Sequence, residues 1–330
     1  MKAWTWTHGG YPEALQQSTL PSDVGQLKPH EIRVRIKAAS LNPVDVQLMS
    51  YPFISHLPTF CVPSHKGVGE DFSGIVEEAG PNSGFKVGDE VLGITPFIPG
   101  GTLQETIRIS TKESAVVQKP ADWSWEQAAA LPLVWLTART TIARAESHVK
   151  NGRIVILGGS SSCGMYAVYL AKQRGWRVKA SCSGRNSDFV RGMGADDTID
   201  YTTTKVSEHV KDFSPDVIID FVGGTECLGI SKAYVTVVGD KTNRLSPGGR
   251  YIYLWNPQML LRALDGKIGM GQSYACINLE FNTSFLKELL SLPKDKIVID
   301  SVFGFDHVKE AFDKLNTGRV RGKLVINIAV

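Results

Sequence analysis

The chain has 330 residues, a formal net charge of +3 and 42% hydrophobic residues, enough for two domains with separate cores and the composition of an ordinary soluble globule. Its lysines and arginines form no run or stripe, which argues against nucleic acid or an anionic membrane surface as the main partner. The five cysteines, Cys61, Cys163, Cys182, Cys227 and Cys276, are scattered without a C-x-x-C pair, so neither a disulfide framework nor a structural zinc lobe is indicated and a reducing compartment is expected.

The amino-terminal MKAWTWTHGG alternates like a strand and has neither a long apolar segment nor an arginine-rich leader. A cytoplasmic location without a membrane span is expected, or a mitochondrial one if a leader has been removed. Strands follow at Glu31 to Ala38, Phe72 to Glu78, Glu90 to Ile94 and Glu105 to Ile109, punctuated by Gly and Pro, which predicts a compact β-rich domain. Ser50 to Gly69 carries four prolines and few periodic apolar residues, the pattern of a long loop that lines a site. At Ser124 the character changes. Ser124-x-x-Gln127 is a capping box ahead of an alanine-rich helix, Pro132 interrupts, and Val134 to Ala145 resumes the helix.

Arg153 to Arg185 reads as strand, turn, helix and second strand. Ile154 to Leu157 is a short apolar run, Gly158 and Gly159 break it, and Ala167, Leu170 and Ala171 recur at helical spacing before Arg177 to Cys182. The turn aligns with a dinucleotide fingerprint as Gly159-x-Ser161-x-x-Gly164, with Ser161 at the middle glycine, so Ser160, Ser161, Ser162 and Cys163 are candidate phosphate-facing positions. A hydroxyl at a helix mouth can donate to phosphate, and the helix amides and dipole favour an anion there. Cys163 excludes a hydrolase elbow, and Met165 after Gly164 excludes a P-loop. A ligand-free turn is the plain alternative.

Thr198 to Tyr201, Asp216 to Val222 and Arg250 to Trp255 are further short strands separated by helical stretches, the alternation of a doubly wound parallel sheet. Lys296 to Phe303 is extended, Asp306 to Asn316 is helical, and Lys323 to Ile328 closes the chain as a strand. The fold class is α/β, with a β-rich domain over 1–123 and a nucleotide-binding domain over 124–295.

Several phrases, in this order and spacing, resemble the medium-chain dehydrogenase/reductases: Ala38 to Asp45 (AASLNPVD), Gly69 to Val76 (GEDFSGIV), Phe85-x-Val87-Gly88-Asp89-x-Val91, Ala129 to Pro132 with Leu136-Thr137-Ala138, Gly194-Ala195-Asp196 and Gly322 to Val325. The likeness covers nearly the whole chain. It implies a GroES-like catalytic domain, a Rossmann domain and a carboxyl-terminal return to the first, which is completed by 296–330. The zinc alcohol dehydrogenases of that family hold their catalytic metal with Cys, His and Cys. The matching positions here are Asn42, Glu70 and Leu133, which cannot supply thiolate ligation, so no metal is expected. His56, His65 and Glu70 read as loop and surface groups.

What remains is similar to the zinc-independent quinone-oxidoreductase branch, with its enoyl and enone reductases and reticulon-4-interacting-protein relatives. There an Asn-x-x-Asp pair and a following Tyr-Pro line the nicotinamide pocket, which points to Asn42, Asp45 and Tyr51-Pro52 as catalytic candidates. Their plain alternatives are a turn asparagine, a helix cap and a loop aromatic. Asn42 or Tyr51 is expected to donate a hydrogen bond to the acceptor oxygen.

The second strand ends at Cys182, where NAD-selective enzymes place an acid. Ser183, Arg185 and Asn186 follow, and Arg185 offers a planar fork to a phosphate, which favours NADPH. Tyr201 matches a family tyrosine beside the 2′-phosphate. Thr137 and the pair Gly223-Gly224 complete the cofactor candidates. Arg319, Arg321 and Lys323 are expected to be solvated or near the cleft. The expected activity is reduction of a quinone or enone by NADPH, with a homodimer as the possible assembly. A nucleotide-binding interaction protein and a zinc dehydrogenase with displaced ligands are the rivals.

Overall fold

In a computed structural model of the chain, residues 1–7, 10–21, 23, 25–50, 66–96, 101–241, 249, 253 and 256–328 are described. Tyr51-Pro52, His56 and His65 lie outside these residues, as does the expected strand Arg250 to Trp255 apart from Tyr253. The chain divides into two units, Met1–Leu133 with Phe281–Val330, and Val134–Glu280.

In the first unit β1 (Lys2–Trp6) pairs antiparallel with β2 (Leu15–Thr19). The long β3 (Glu31–Leu41) buries Ile32, Val34 and Ile36 on one face and turns Arg33, Arg35 and Lys37 outward, the period-2 pattern of a half-buried strand. From Ala38 every residue of β3 is buried. Helix α1 (Pro43–Ser50) follows at once, with Pro43 at its first position, where a missing N–H costs nothing. Then come β4 (Lys66–Gly67), which pairs with β1, β5 (Asp71–Ala79), β6 (Glu90–Ile94), β7 (Thr106–Ser110) and β8 (Ala115–Gln118). Ser124 caps α2 (Trp125–Ala129) with the reciprocal Gln127 bond that the sequence predicts.

The first unit extends past the expected boundary at Trp123 for a physical reason. Ala128 and Ala129 are buried, Ser73 Oγ donates to Trp125 O at 2.7 Å, and the Leu133 N–H donates to Asp71.

The second unit holds most of α3 (Pro132–Glu146), then β9 (Arg153–Leu157), α4 (Ser162–Gln173), β10 (Arg177–Cys182), α5 (Ser187–Gly192), β11 (Asp197–Asp200), α6 (Val206–Phe213), β12 (Val217–Asp220), β13 (Ala233–Thr236), α7 (Pro257–Lys267) and β14 (Ser273–Cys276). Its six strands are all parallel, in the order β11-β10-β9-β12-β13-β14. Ile154, Val155 and Ile156 are wholly buried, as a strand covered on both faces requires. Strands β13 and β14 escape the sequence reading because AYVT and SYAC are only four residues each, too short for a periodic signal.

The chain returns to the first unit through α8 (Thr283–Glu288), whose Leu286 is buried, so the return begins before the expected Lys296. Strand β15 (Ile299–Gly304), α9 (Val308–Asn316) and β16 (Lys323–Asn327) follow. Strand β16 pairs with β3, and the seven-stranded sheet runs β15-β16-β3-β5-β6-β8 with β7 also on β3. Strand β3 thus lies between β5 and β16, with Ser40 opposite Asp71 and Leu41 opposite Leu324.

Candidate functional site

The strand order of the second unit reverses between β9 and β12, and in an open parallel sheet ligands bind at the carboxyl ends of strands at such a switch. The turn after β9 is built for close approach. Gly158 has φ +83°, and a Cβ on Gly164 would lie 2.1 Å from the Gly158 carbonyl oxygen. Ser161 is the N-cap of α4. Its Oγ accepts from Gly164 N at 3.0 Å and donates to Gly158 O at 2.7 Å. The expected donation of Ser161 to a phosphate is therefore corrected: its proton already closes the turn. Gly159 is buried and bonded to Ser181 O, while Ser160, Ser162 and Cys163 are half-buried at the helix mouth. The Gly164 N–H is taken by Ser161 Oγ, and the positive dipole end of the twelve-residue α4 favours an anion such as a pyrophosphate at this mouth.

At the end of β10, Ser183 is extended and nearly buried, Asn186 Nδ2 donates to its Oγ at 3.2 Å, and Arg185 is exposed on the short 3-10 turn Gly184–Asn186. An acid stands beside the Cys182 position on the neighbouring strand. Asp200 pairs in register with Cys182, and a Cβ on Gly184 would meet its Oδ2 at 2.5 Å. Asp200 accepts from the N–H and hydroxyl of Thr202 at 2.9 and 2.6 Å, which holds its carboxyl below the usual range. Tyr201 is exposed and Thr137 is buried on α3.

Gly223 and Gly224 follow β12 with φ +95° and +94°. A Cβ on Gly223 would lie 2.0 Å from the Lys241 carbonyl oxygen. That close approach within the unit explains Gly223 without a nicotinamide. The turn is anchored by the buried Asp220, which accepts from Val222 N and Gly223 N at 2.8 and 2.9 Å and from Thr236 Oγ1 at 2.9 Å.

The first unit holds a buried polar cluster at the fully covered end of β3. Asp71 Oδ2 accepts from Ser40 Oγ at 2.8 Å, Asn42 Nδ2 at 2.9 Å and Lys323 Nζ at 3.2 Å, while its Oδ1 accepts from Leu133 N at 2.7 Å. Lys323 Nζ also donates to Asn42 Oδ1. The Asn42 amide thus has a cation on its oxygen and a carboxylate on its nitrogen, an arrangement that fixes which end is which. One step along α1, Asp45 Oδ2 accepts from Asn42 N at 2.7 Å, the reach-back of a capping box, while its Oδ1 is buried without a partner.

Burial pushes the Asp45 carboxyl up to about 7, opposed by the Asn42 N–H. Glu70 is raised well above the carboxylate range by burial and then by Asp45 and Asp71.

Three expectations change here. Asn42 is 1% exposed, with its oxygen on Lys323 and one of its two Nδ2 hydrogens on Asp71, so of the donor expected there only the second Nδ2 hydrogen is left to an acceptor oxygen. Glu70 is 7% exposed and Lys323 3%, so neither is a solvated group. Tyr51 lies outside the described residues. Sequence reasoning missed Asp71 and left Lys323 as solvated or near the cleft; the signal at Lys323 was a charge opening the apolar run Leu324-Val325-Ile326.

The positions matching zinc ligands do not fit a metal. Asn42 gives its oxygen to an ammonium, and Leu133 offers an N–H, not an electron pair, so a divalent cation would meet a fixed positive charge.

Residues 28–121 match the alcohol dehydrogenase GroES-like domain and 193–326 the zinc-binding dehydrogenase family. The human mitochondrial NAD(P)H oxidoreductase RTN4IP1 is 34% identical over 336 residues, covering 91% of this chain and 82% of that protein. The trans-enoyl reductase pgmF of Aspergillus terreus is 29% identical, covering 99% and 96%. The solved quinone oxidoreductase of Coxiella burnetii superposes with a TM-score of 0.79 at 28% identity, over 100% of this chain and 99% of that one. With the nucleotide turn, the parallel sheet and a polar cluster that binds an ammonium where zinc enzymes bind metal, these similarities establish that the chain is an oxidoreductase and belongs to the medium-chain dehydrogenase/reductases, in their zinc-independent, quinone-oxidoreductase-like branch.

Proposed function

We propose that this oxidoreductase transfers hydride from NADPH to a quinone or to the C=C bond of an α,β-unsaturated carbonyl. The observation that carries the reading is that Asn42, at a position where a zinc enzyme of the family places a metal ligand, is bonded to Asp71 and Lys323. When bound, NADPH supplies the hydride. Reduction of a saturated carbonyl concentrates charge on one oxygen, which without a metal calls for several strong donors, whereas an enone or quinone spreads that charge through conjugation. The relatives named as quinone and trans-enoyl reductases support this acceptor class.

The helix mouth at Ser160 to Gly164 holds the pyrophosphate, and Ser183, Arg185 and Asn186 hold the 2′-phosphate, with Tyr201 beside it. Asp200 is engaged by Thr202 and is not directed to a ribose hydroxyl. Arg185→Ala is expected to weaken NADPH binding by about 1.5 to 3 kcal/mol, the scale of a charged hydrogen bond, and to leave NADH nearly unchanged. Equal losses for both cofactors in a fluorescence titration would remove Arg185 from the 2′-phosphate.

Among the described residues no helix is long and apolar enough to cross a membrane. A reducing aqueous compartment, cytoplasm or mitochondrion, is the proposed setting. The activity is tested by following NADPH oxidation with a panel of quinones, enones, enals and saturated aldehydes. Consumption with the conjugated acceptors only, and products saturated at the former C=C bond, are expected. Saturated alcohol as the main product from aldehydes would overturn the acceptor class.

A further inference from the structure

We propose that Lys323 is a positioning residue of this reductase, acting through Asn42: its buried ammonium, bonded to Asn42 Oδ1 and Asp71, locks the amide so that its nitrogen edge keeps one orientation during turnover. The inference rests on the proposed acceptor chemistry and on Asn42 serving it.

The geometry separates this role from plain packing. A lysine is seldom buried without a structural or chemical reason, because removing an ammonium from water is costly unless it is paired and hydrogen-bonded. Lys323 has both compensations, Asp71 for charge and Asn42 for a second bond. An asparagine amide has two faces of similar shape, and its oxygen and nitrogen exchange places by a half-turn about the last torsion. Next to Lys323 only the oxygen can accept, and next to Asp71 only the nitrogen can donate. The flipped state would set N–H against ammonium and oxygen against carboxylate, two repulsions in a site shielded from water.

The bond to Asp71 uses one of the two Nδ2 hydrogens. Lys323 thereby decides which polar edge of Asn42 faces away from Asp71, and hence what the amide can offer a reacting group. Strand β16 brings the lysine there because Leu324 pairs with Leu41 on β3, one residue before Asn42. The ion pair alone would be a stability device; its second bond, to the amide oxygen, gives it a hold on the chemistry.

The test compares steady-state turnover of an enone by the full-length protein, Lys323→Met, Lys323→Arg, Asn42→Ala and the double variant Lys323→Met/Asn42→Ala, together with NADPH binding. Lys323→Met is expected to lower kcat by about 10- to 100-fold, the scale of a misplaced catalytic group, with NADPH affinity within about twofold. Lys323→Arg, which keeps the cation, should restore most of the rate. The deciding readout is coupling. In the Asn42→Ala background the loss of Lys323 should change kcat by less than about threefold, because the group it acts through is gone.

If Lys323→Met does not fold, Lys323→Met/Asp71→Asn removes both charges together and carries the same comparison. A folded variant with wild-type kcat, or an equal fold-loss with and without Asn42, would overturn the positioning role while leaving the reductase reading intact. Absence of turnover by the wild-type protein with every acceptor would overturn that reading and this inference with it.

Discussion

Replacing Asp71 by alanine is expected to destabilise the protein by about 3 to 5 kcal/mol, the range seen when one partner of a buried ion pair is removed. The carboxylate is wholly buried and accepts from four donors, those of Ser40, Asn42, Leu133 and Lys323. Its removal leaves an ammonium in a dry site with only the Asn42 oxygen, and it orphans two further donors on neighbouring strands and one at the start of α3. The cost lies in what is stranded, not in the attraction lost. For that reason Asp71→Ala/Lys323→Met should recover a large part of the stability. Urea unfolding at neutral pH, analysed for the first unit's transition if the two units unfold separately, checks both variants. A loss below about 1 kcal/mol for Asp71→Ala would show that water reaches Lys323 readily and that the cluster is not sealed.

Asp45→Asn should make the protein more stable at alkaline pH and leave it unchanged near pH 4. The Asp45 carboxyl sits at about 7 in the folded chain against an ordinary 3.8, because burial disfavours its charge. Between those values the folded protein keeps a proton that the unfolded chain releases, so the contribution of Asp45 to stability is full below about pH 4. It is lost as pH rises through the folded value, at about 1.4 kcal/mol per pH unit.

Asparagine keeps the shape and can accept from the Asn42 N–H as Asp45 does, without a charge to bury. Its advantage over the wild type should grow from near zero at pH 4 to at most about 4 kcal/mol at pH 8. Glu70, Asp71 and Lys323 face the same group, and Glu70 is itself raised. The difference between the two proteins, not the slope of either, isolates Asp45. A gap of equal size at pH 4.5 and pH 8 would contradict the assignment.

The nucleotide half of the site was legible in the chain because its chemistry is local. The strand at Ile154 to Leu157, the glycines and the helix from Ser162 are adjacent in sequence, and their steric demands fall on named positions: Gly158 for its positive φ, and Gly164 for an approach that no Cβ permits. A β-rich first part and an alternating α/β second part were likewise written in periodicity and punctuation, whereas the carboxyl-terminal return was implied by the family resemblance, and α2 and α8 joined the first unit through packing that no local pattern announces. Asn42, Glu70 and Leu133 could be matched to the zinc-ligand positions of the family through the resemblance.

What stands in their place was decided by strand pairing. Ser40 and Asn42, Asp71 and Lys323 come from three segments as much as 283 residues apart, from Ser40 to Lys323, and they meet because β3 is held between β5 and β16 in one register. A lysine near a chain end reads as solvated on composition, since burial of a charge is affordable only with partners that sequence adjacency cannot supply. The same pairing narrowed the reading of Asn42, from an open donor to an amide held at both ends with one Nδ2 hydrogen to spare, and raised Asp45 and Glu70 by burying three carboxyls beside the Lys323 ammonium.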